Sequence, residues 1–224
     1  MARPRYEKSD ETARERIVAA FWEELCETPF EKISTRGLIS RAGVNKNTFY
    51  YHFENKDSLI TWIFRYDLGQ ELKKRFPENV LVYEDHVNDS ASQFPYYILQ
   101  KSGVRSLDHS EFFECFGSVL EAKRKFYTQA LMDNNPYSLR NYLYNLYLPA
   151  LRRDIHIILS NRYLPEENIQ FLAEFYTSAF LYYHIRKCDQ PLSEPLTGQA
   201  GPFSNIIHSS IEMQIKEAQL RRNL

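Results

Sequence analysis

The stretch that decides the fold covers residues 34–53 and reads Ser34-Thr35-Arg36-Gly37-Leu38-Ile39-Ser40-Arg41-Ala42-Gly43-Val44-Asn45-Lys46-Asn47-Thr48-Phe49-Tyr50-Tyr51-His52-Phe53. Ser34 and Asn45 are residues that cap helix N-termini, because their side-chain oxygens accept hydrogen bonds from free backbone N–H groups. Gly43 lies where a helix ends in a left-handed backbone conformation. The spacing predicts one short helix that ends near Ala42 and a second from Lys46 to about His52, which is helix-turn-helix spacing.

The second helix of this segment divides its residues between anchoring and hydrogen bonding. Phe49 and Phe53 are four residues apart and face inward. Two further pairs with the same spacing lie on other faces and carry hydrogen-bonding groups: Lys46 with Tyr50, and Asn47 with Tyr51. A recognition helix needs this division, because polar groups must reach base edges while apolar ones hold the helix on its support. The alternative is an ordinary helical hairpin in which both tyrosines pack in a core.

Charge is distributed unevenly around this segment. Residues 32–56 hold five lysines and arginines and one glutamate, a local net charge of +4, whereas residues 76–224 hold 14 cations and 17 anions, a net charge of -3. The whole chain has a formal net charge of -1. That balance argues against a protein that holds nucleic acid by bulk charge, while the local excess suits phosphate contacts at the helix-turn-helix.

Composition favours an all-α fold. The 224 residues are 43% hydrophobic and 25% charged, which is typical of a globular protein, and they include only 7 Gly and 10 Pro. So few turn residues make a barrel or sandwich improbable. Apolar periodicity predicts helices over 10–28, 56–77, 112–131, 139 onward with Pro149 as a kink or a new start, 165–187 and 204–220. Residues 78–111 are the least legible part and show only weak helical patterns, at 80–82 and 96–99. We therefore predict a domain of three helices at residues 10–70, with its motif at 34–53, and a helical domain at 71–224.

Several classes of site and segment are missing from the sequence. Three widely spaced cysteines, Cys26, Cys115 and Cys188, form neither a disulfide framework nor a CxxC site and fit a reducing cytoplasm. Neither an apolar leader nor a run of 18 apolar residues is present, so we expect a cytoplasmic protein without a membrane span. No catalytic motif and no metal-ligand spacing occurs, so we expect no enzyme activity, metal or cofactor. His156 and His184 are expected to be hydrogen-bonded core residues.

The first 65 or so residues resemble the N-terminal domain of the TetR/AcrR family of bacterial transcriptional regulators. Four segments carry the resemblance: Ile33-Ser34, Ala42-Gly43-Val44-Asn45, Thr48-Phe49-Tyr50-Tyr51-His52-Phe53 and Lys56-Asp57-Ser58-Leu59. The resemblance implies double-stranded DNA as a partner, and it implies which residues meet it. The implied DNA-binding set is Ser34, Thr35, Arg36, Asn45, Lys46, Asn47, Thr48, Tyr50, Tyr51, His52 and Lys56.

Within that set the resemblance implies different roles. Lys46 and Asn47 would approach bases, which suits their chemistry, since Lys donates to guanine and Asn bonds adenine bidentately. His52 would lie near the DNA backbone, and Arg36 would reach a phosphate or a base. The resemblance also implies phosphate contacts for Ser34, Thr48, Tyr50, Tyr51 and Lys56.

The resemblance also implies a C-terminal domain that encloses a ligand and forms a homodimer. Tyrosine hydroxyls among apolar side chains would suit a small aromatic or amphipathic effector, and the candidates are Phe116, Tyr127, Tyr142 and Tyr176. The default interpretation of these aromatic stripes is an ordinary core. For the dimer interface on the last two helices the candidates are Phe175, Ala179, Tyr182, Ile207, Ile211 and Ile215. The alternative is that one subunit fills both stripes of residues 166–187 by itself.

These inferences predict a homodimeric repressor that binds a pseudo-palindromic operator and is released by a small molecule, with the change carried by the fourth helix. Two alternatives remain at this point. One is a regulator of the same fold that acts constitutively or through a protein partner. The other, an enzyme built on a helical bundle, lacks any catalytic constellation.

Overall fold

A computed structural model describes residues 5–85, 90–103, 106–190, 196 and 201–222. The chain is mainly helical and divides into two compact units, Met1–Phe64 and Arg65–Leu224. The predicted all-α class, with an N-terminal helix-turn-helix and a C-terminal helical unit, is confirmed. The sequence placed the boundary at residue 70, inside the same helix that contains the observed one, because no change in composition marks it.

The N-terminal unit is built from three helices and the first part of a fourth, which continues into the other unit. Their bounds are α1 (Arg5–Glu27), α2 (Thr35–Ala42), α3 (Lys46–His52) and α4 (Lys56–Arg75), with a 3-10 turn at Phe30–Lys32. Its core takes fully buried side chains from every helix: Ile17 and Phe21 of α1, Leu38 of α2, Phe49 of α3 and Leu59 of α4. Burial of each such side chain is worth roughly 1.5–3 kcal/mol, so the short α2 and α3 are held by packing.

The C-terminal unit adds two short hairpins and five helices over the described residues. Their bounds are β1 (Leu81–Val82), β2 (Tyr97–Ile98), β3 (Lys101–Gly103), β4 (Ser106–Leu107), α5 (Ser110–Ala122), α6 (Arg124–Met132), α7 (Leu139–Leu159), α8 (Glu166–Cys188) and α9 (Gly201–Arg222). β1 pairs with β2 and β3 with β4, both antiparallel. The weak helical patterns at 80–82 and 96–99 were wrong, because β1 and β2 lie there and pair with each other.

Two groups of buried side chains form the core of the C-terminal unit. One group consists mainly of aliphatic residues of α7, α8 and α9, and it includes Ile207, Ile211 and Ile215 of α9. The other group, here called the aromatic cluster, brings together rings from α5, α7 and α8 with centroids 4.9 to 6.2 Å apart. Its members are Phe112, Phe116, Tyr147 and Phe180.

The helix predicted over 112–131 is in fact two helices. The backbone leaves the helical region at Lys123, with φ -134° and ψ 42°. The cause is tertiary: the ammonium of Lys123 donates to Asp67 at 2.6 Å, while the buried guanidinium of Arg124 donates to the carbonyls of Lys187 at 2.7 Å and Gln190 at 3.0 Å. No glycine or proline marks this break, so the sequence does not reveal it.

The other helical predictions hold with small changes of bounds. Pro149 lies inside α7 and does not start a new helix. It is exposed, and water can satisfy the carbonyl that its missing N–H leaves free. Most of the predicted loop between α8 and α9 falls outside the described residues.

Candidate nucleic-acid interface

Both helices of the helix-turn-helix begin with the predicted caps. The hydroxyl of Ser34 accepts a hydrogen bond from the Gly37 N–H at 3.1 Å, and the side-chain oxygen of Asn45 accepts one from the Thr48 N–H at 2.7 Å. Each cap satisfies an N–H that has no partner inside its helix. The starts of α2 and α3 are therefore fixed by local chemistry that the sequence already shows.

The turn between α2 and α3 is held by an arginine that sequence reasoning did not identify. Gly43 adopts the left-handed conformation with φ 60°. One guanidinium nitrogen of Arg16 in α1 donates to the carbonyls of Ala42 at 2.6 Å and Gly43 at 2.7 Å. These carbonyls lie at the C-terminus of α2, where a cation is also favoured by the helix dipole. The only sequence signal is a cation on α1, which does not reveal a partner 26 residues away.

α3 buries two side chains, Phe49 and His52, and exposes four. Phe49 is fully buried and anchors the helix, whereas Lys46 and Asn47 are exposed. Tyr50 is 46% and Tyr51 73% exposed, so the alternative in which both tyrosines pack in a core is wrong. The first turn of α3 thus presents an ammonium and an amide, and the second presents two phenols.

The remaining residues of the predicted DNA-binding set lie around this surface, with one exception. Ser34, Arg36 and Asn45 are exposed, and Thr35, Thr48 and Lys56 are partly buried. The exception is His52, which is only 8% exposed and packs its ring against Tyr51 and Phe53. We therefore reassign His52 from a contact near DNA to a support for α3.

Two of the cations counted in the sequence are already engaged within the unit. Arg41 donates to Glu24 at 3.1 Å and to Glu27 at 2.6 Å, and this arginine lowers the pKa of Glu27. The ammonium of Lys56 donates to the Phe30 carbonyl at 3.2 Å and lies 4.6 Å from the Phe30 ring. Among the described residues, the exposed cations of this segment that have no carboxylate partner are Lys32, Arg36 and Lys46.

The four predicted ligand contacts in the C-terminal unit take part in different internal contacts. Phe116 belongs to the aromatic cluster, whereas the three tyrosine hydroxyls bond to separate partners. Those partners are Asp67 for Tyr127, Arg65 for Tyr142 and Ser210 for Tyr176. These contacts do not test the prediction, because a tyrosine whose hydroxyl is bonded within the fold can still present its ring to a ligand, so all four residues stay candidates.

The predicted dimer residues also divide. Phe175 and Tyr182 of α8 are more than half exposed and Ala179 is partly exposed. Ile207, Ile211 and Ile215 are instead buried against α7 and α8 of their own chain, which corrects their assignment to an interface. The amphipathic pattern of α9 identified the apolar stripe but not the partner that covers it. Apolar side chains that sequence reasoning missed are exposed on the other face of α9: Ile206, Met213 and Leu220.

Comparison with known proteins decides the family. A family model described as bacterial regulatory proteins, tetR family, matches residues 17–61, and one described as a transcriptional regulator C-terminal region matches residues 108–195. Together they cover more than half of the chain. The chain belongs to the TetR family. This TetR-family protein is a DNA-binding transcription regulator with a helix-turn-helix domain.

Three solved structures are similar to this TetR-family protein at low sequence identity. The fatty acid degradation regulator FadR from Bacillus halodurans has a TM-score of 0.51 at 16% identity, over 88% of this chain and 94% of that chain. The dihydroxyacetone kinase operon activator DhaS has a TM-score of 0.49 at 13% identity, over 90% and 97% of the two chains. A transcriptional regulator from Rhodococcus sp. Rha1 has a TM-score of 0.39 at 19% identity, over 91% and 96%. At these values only the FadR likeness bears on the fold, and it bears on nothing else.

No curated protein matches the chain. Within the described residues, no helix combines the length and the apolar character needed to cross a bilayer. Those same residues contain no group of three or more metal-ligating side chains.

Proposed function

We propose that two copies of this chain bind a pseudo-palindromic operator, that α3 of each copy reads bases in the major groove, and that a small effector held by the C-terminal unit releases the DNA. The protein then acts as a repressor of the genes next to its operator. The observation that carries the DNA part of this proposal is the arrangement of α3, whose first turn is exposed while Phe49 fixes the helix to the core.

Lys46 and Asn47 are the base-reading residues of this proposal. Both are exposed at the start of α3, and the Asn45 cap holds that start rigidly. Lys donates to guanine O6 and N7, and Asn bonds adenine N6 and N7 bidentately, each contact being worth roughly 1–3 kcal/mol of discrimination. Their N-terminal position on the helix is the one that contacts base edges in helix-turn-helix proteins.

Phosphate contacts in this proposal come from the sides of the same surface. Ser34, Arg36 and Tyr51 are exposed there and carry hydroxyl or guanidinium donors. Tyr50 is half exposed, and its ring lies 5.7 Å from the Lys46 ammonium, which limits the positions that this lysine explores. Phosphate contacts orient the helix, and base contacts give the sequence preference.

The second copy is proposed to cover an exposed apolar face on α8 and α9. Phe171, Phe175 and Tyr182 lie on one side of α8 and are each more than half exposed. The rings of Phe171 and Phe175 are stacked with their centroids 6.1 Å apart. α9 contributes Ile206, Met213 and Leu220 at intervals of seven residues, which places them on one face. Exposed apolar side chains in this number mark an interaction site, and a twofold dimer would hold two recognition helices about 34–36 Å apart.

An electrophoretic mobility shift assay on DNA upstream of the protein's own gene tests the proposal. Lys46→Ala and Asn47→Ala should each weaken binding by about tenfold or more, and Lys125→Ala, which removes an exposed cation of α6, should not. Unchanged binding by both α3 variants would contradict the assignment of the recognition helix. A wild-type chain without any preference for specific DNA would contradict the operator itself.

A further inference from the structure

Lys32 is an exposed cation that precedes the helix-turn-helix and that sequence reasoning did not assign to DNA. It is the last residue of the 3-10 turn between α1 and α2. Among the described residues, no carboxylate lies within ion-pair distance of its ammonium, whereas Arg41 of the same unit is engaged by Glu24 and Glu27. The charge of Lys32 is therefore available to a partner outside the N-terminal unit.

The backbone that carries Lys32 is fixed on both sides. Phe30 and Ile33 are buried in the core of the unit. The Lys32 N–H donates to the Pro29 carbonyl at 2.9 Å, and the Ile33 N–H donates to the Phe30 carbonyl at 3.3 Å. The ring of Pro29 restricts the backbone at the entry to the turn. A long side chain on such a backbone loses less conformational entropy on binding than one on a mobile loop, because only its own rotamers become ordered.

The 3-10 turn lies beside two residues of the predicted DNA-binding set. The Lys56 ammonium, at the start of α4, donates to the Phe30 carbonyl at 3.2 Å and lies 4.6 Å from the Phe30 ring. Ser34, the cap of α2, follows Lys32 by two residues, which span at most about 7 Å. Lys32 therefore lies next to the positions for which phosphate contacts are expected.

This spacing suits two phosphates of one DNA strand. Each strand of a duplex carries one negative charge per about 3.4 Å of helix axis, so about 7 Å covers two of them. The Ser34 hydroxyl accepts the Gly37 N–H and keeps its own proton to donate, while Lys32 supplies a positive charge. A lysine ammonium is a compact point charge on a flexible stem, which suits a phosphate without any demand on base identity.

We propose that Lys32 contacts a DNA phosphate and so helps to orient α3 without reading bases. This inference rests on the proposed function, because it takes the helix-turn-helix surface to be the DNA interface. Lys56 holds the 3-10 turn against α4, and Lys32 supplies the charge that the turn presents. Removing this charge weakens binding to every sequence alike, since phosphate contacts carry no sequence information directly.

The salt dependence of DNA binding tests the contact. Fluorescence anisotropy measures the affinity for a duplex from upstream of the protein's own gene between about 50 and 200 mM salt. Lys32→Gln should reduce the slope of log affinity against log salt concentration by about 0.9, so the advantage of the wild type should shrink roughly 3.5-fold over that range. The loss should be the same on a duplex with a changed base pair. An unchanged slope, or a loss confined to one base pair, overturns the proposal.

Two matched variants separate charge from structure. Lys32→Arg keeps the charge and should retain the slope, and Lys125→Gln, which removes an exposed cation of α6, should not change it. Tryptophan fluorescence in urea should give Lys32→Gln the midpoint of the wild type, because the side chain is exposed. A variant that binds more weakly at every salt concentration with the wild-type slope would show a structural effect and overturn the proposal.

Lysine labelling of the wild type gives a second readout that needs no variant. Acetylation by a water-soluble ester, followed by mass spectrometry, is compared with and without the same duplex. DNA should protect Lys32, whereas Lys125 should be labelled equally in both samples. Equal labelling of Lys32 with and without DNA overturns the proposal.

Failure of this inference and failure of the proposed function can be told apart. If Asn47→Ala loses base discrimination while Lys32→Gln keeps the full salt slope, the recognition helix stands and the phosphate contact is refuted. If the wild type binds all duplexes equally, the operator is refuted, while the salt slope of Lys32→Gln still decides whether Lys32 contacts a phosphate.

Discussion

Replacement of Gly43 by alanine perturbs the turn between α2 and α3 in two ways. Gly43 has φ 60°, a left-handed conformation that costs an alanine about 1–2 kcal/mol. The new Cβ would also lie 2.9 Å from a guanidinium nitrogen of Arg16. Arg16 must then withdraw from the carbonyls that it binds at 2.6 and 2.7 Å, which we set at about 1 kcal/mol because both carbonyls can be hydrated instead. The expected loss is roughly 2–3 kcal/mol of unfolding free energy.

Gly37→Ala is the matched control for this substitution. Gly37 lies inside α2 without a positive φ, and an added Cβ would meet the Ser34 hydroxyl and a Glu24 oxygen at 3.4 Å, an ordinary contact distance. Alanine restricts the unfolded chain more than glycine does, so this variant should gain roughly 0.5–1 kcal/mol. Two glycines six positions apart in one motif should therefore respond with opposite signs.

Tryptophan fluorescence during urea unfolding reports both effects from the N-terminal unit, in which the two glycines lie. The chain has two tryptophans, Trp22 and Trp62, and both belong to the N-terminal unit. Gly43→Ala should lower the midpoint by about 1 M urea or more, and Gly37→Ala should raise it. A Gly43→Ala variant as stable as the wild type would refute the strained turn. Arg16→Met should cost about 1 kcal/mol alone and almost nothing in the Gly43→Ala background, and additive losses would refute the clamp.

Further predictions concern charge, pH and assembly. Arg41→Gln should leave the salt dependence of DNA binding unchanged in gel shifts, because Glu24 and Glu27 already engage this arginine; a slope reduced by about one would show that it contacts a phosphate instead. The unfolded chain protonates His184 near pH 6.5 and the folded chain only near pH 4, because burial lowers the pKa of this residue. The unfolding free energy should therefore decrease as the pH is lowered from 6.5 to 4, by about 3 kcal/mol in total. Circular dichroism in urea at several pH values should show this loss in the wild type and a smaller one in His184→Gln, and equal losses would contradict the burial argument. Phe175→Glu should turn the dimer into a monomer in analytical ultracentrifugation, whereas Tyr137→Glu, a control at another exposed aromatic residue, should not; a dimer that survives Phe175→Glu would contradict the proposed face.

The features that local chemistry determines could be predicted from the sequence. Ser34, Gly43 and Asn45 set the ends of α2 and α3 through their own backbone preferences and caps, so their roles are independent of the rest of the fold. Phe49 could be assigned to the core for a similar reason, because the periodicity of one helix determines which of its faces is apolar.

The features that depend on distant partners could not be predicted from the sequence. The break at Lys123 follows from contacts with α4 and the end of α8, and the burial of Ile211 depends on which helices cover α9. Periodicity shows that a stripe is apolar, but it does not show whether the same chain or a second copy covers it. In the same way His184 could be predicted to be a hydrogen-bonded core residue, as it is, whereas the same prediction for His156 is wrong, because His156 is exposed. That the second nitrogen of His184 has no donor among the described residues follows only from packing.

The central claim, that the exposed start of α3 reads bases, is tested most directly by base discrimination. An operator selected from upstream DNA is varied one base pair at a time, and affinities are measured for the wild type and for Asn47→Ala. The account predicts that the wild type discriminates by about tenfold or more at one position in each half-site, and that Asn47→Ala loses discrimination at that position only. Uniform weakening at every position, or an unchanged preference profile, would contradict it.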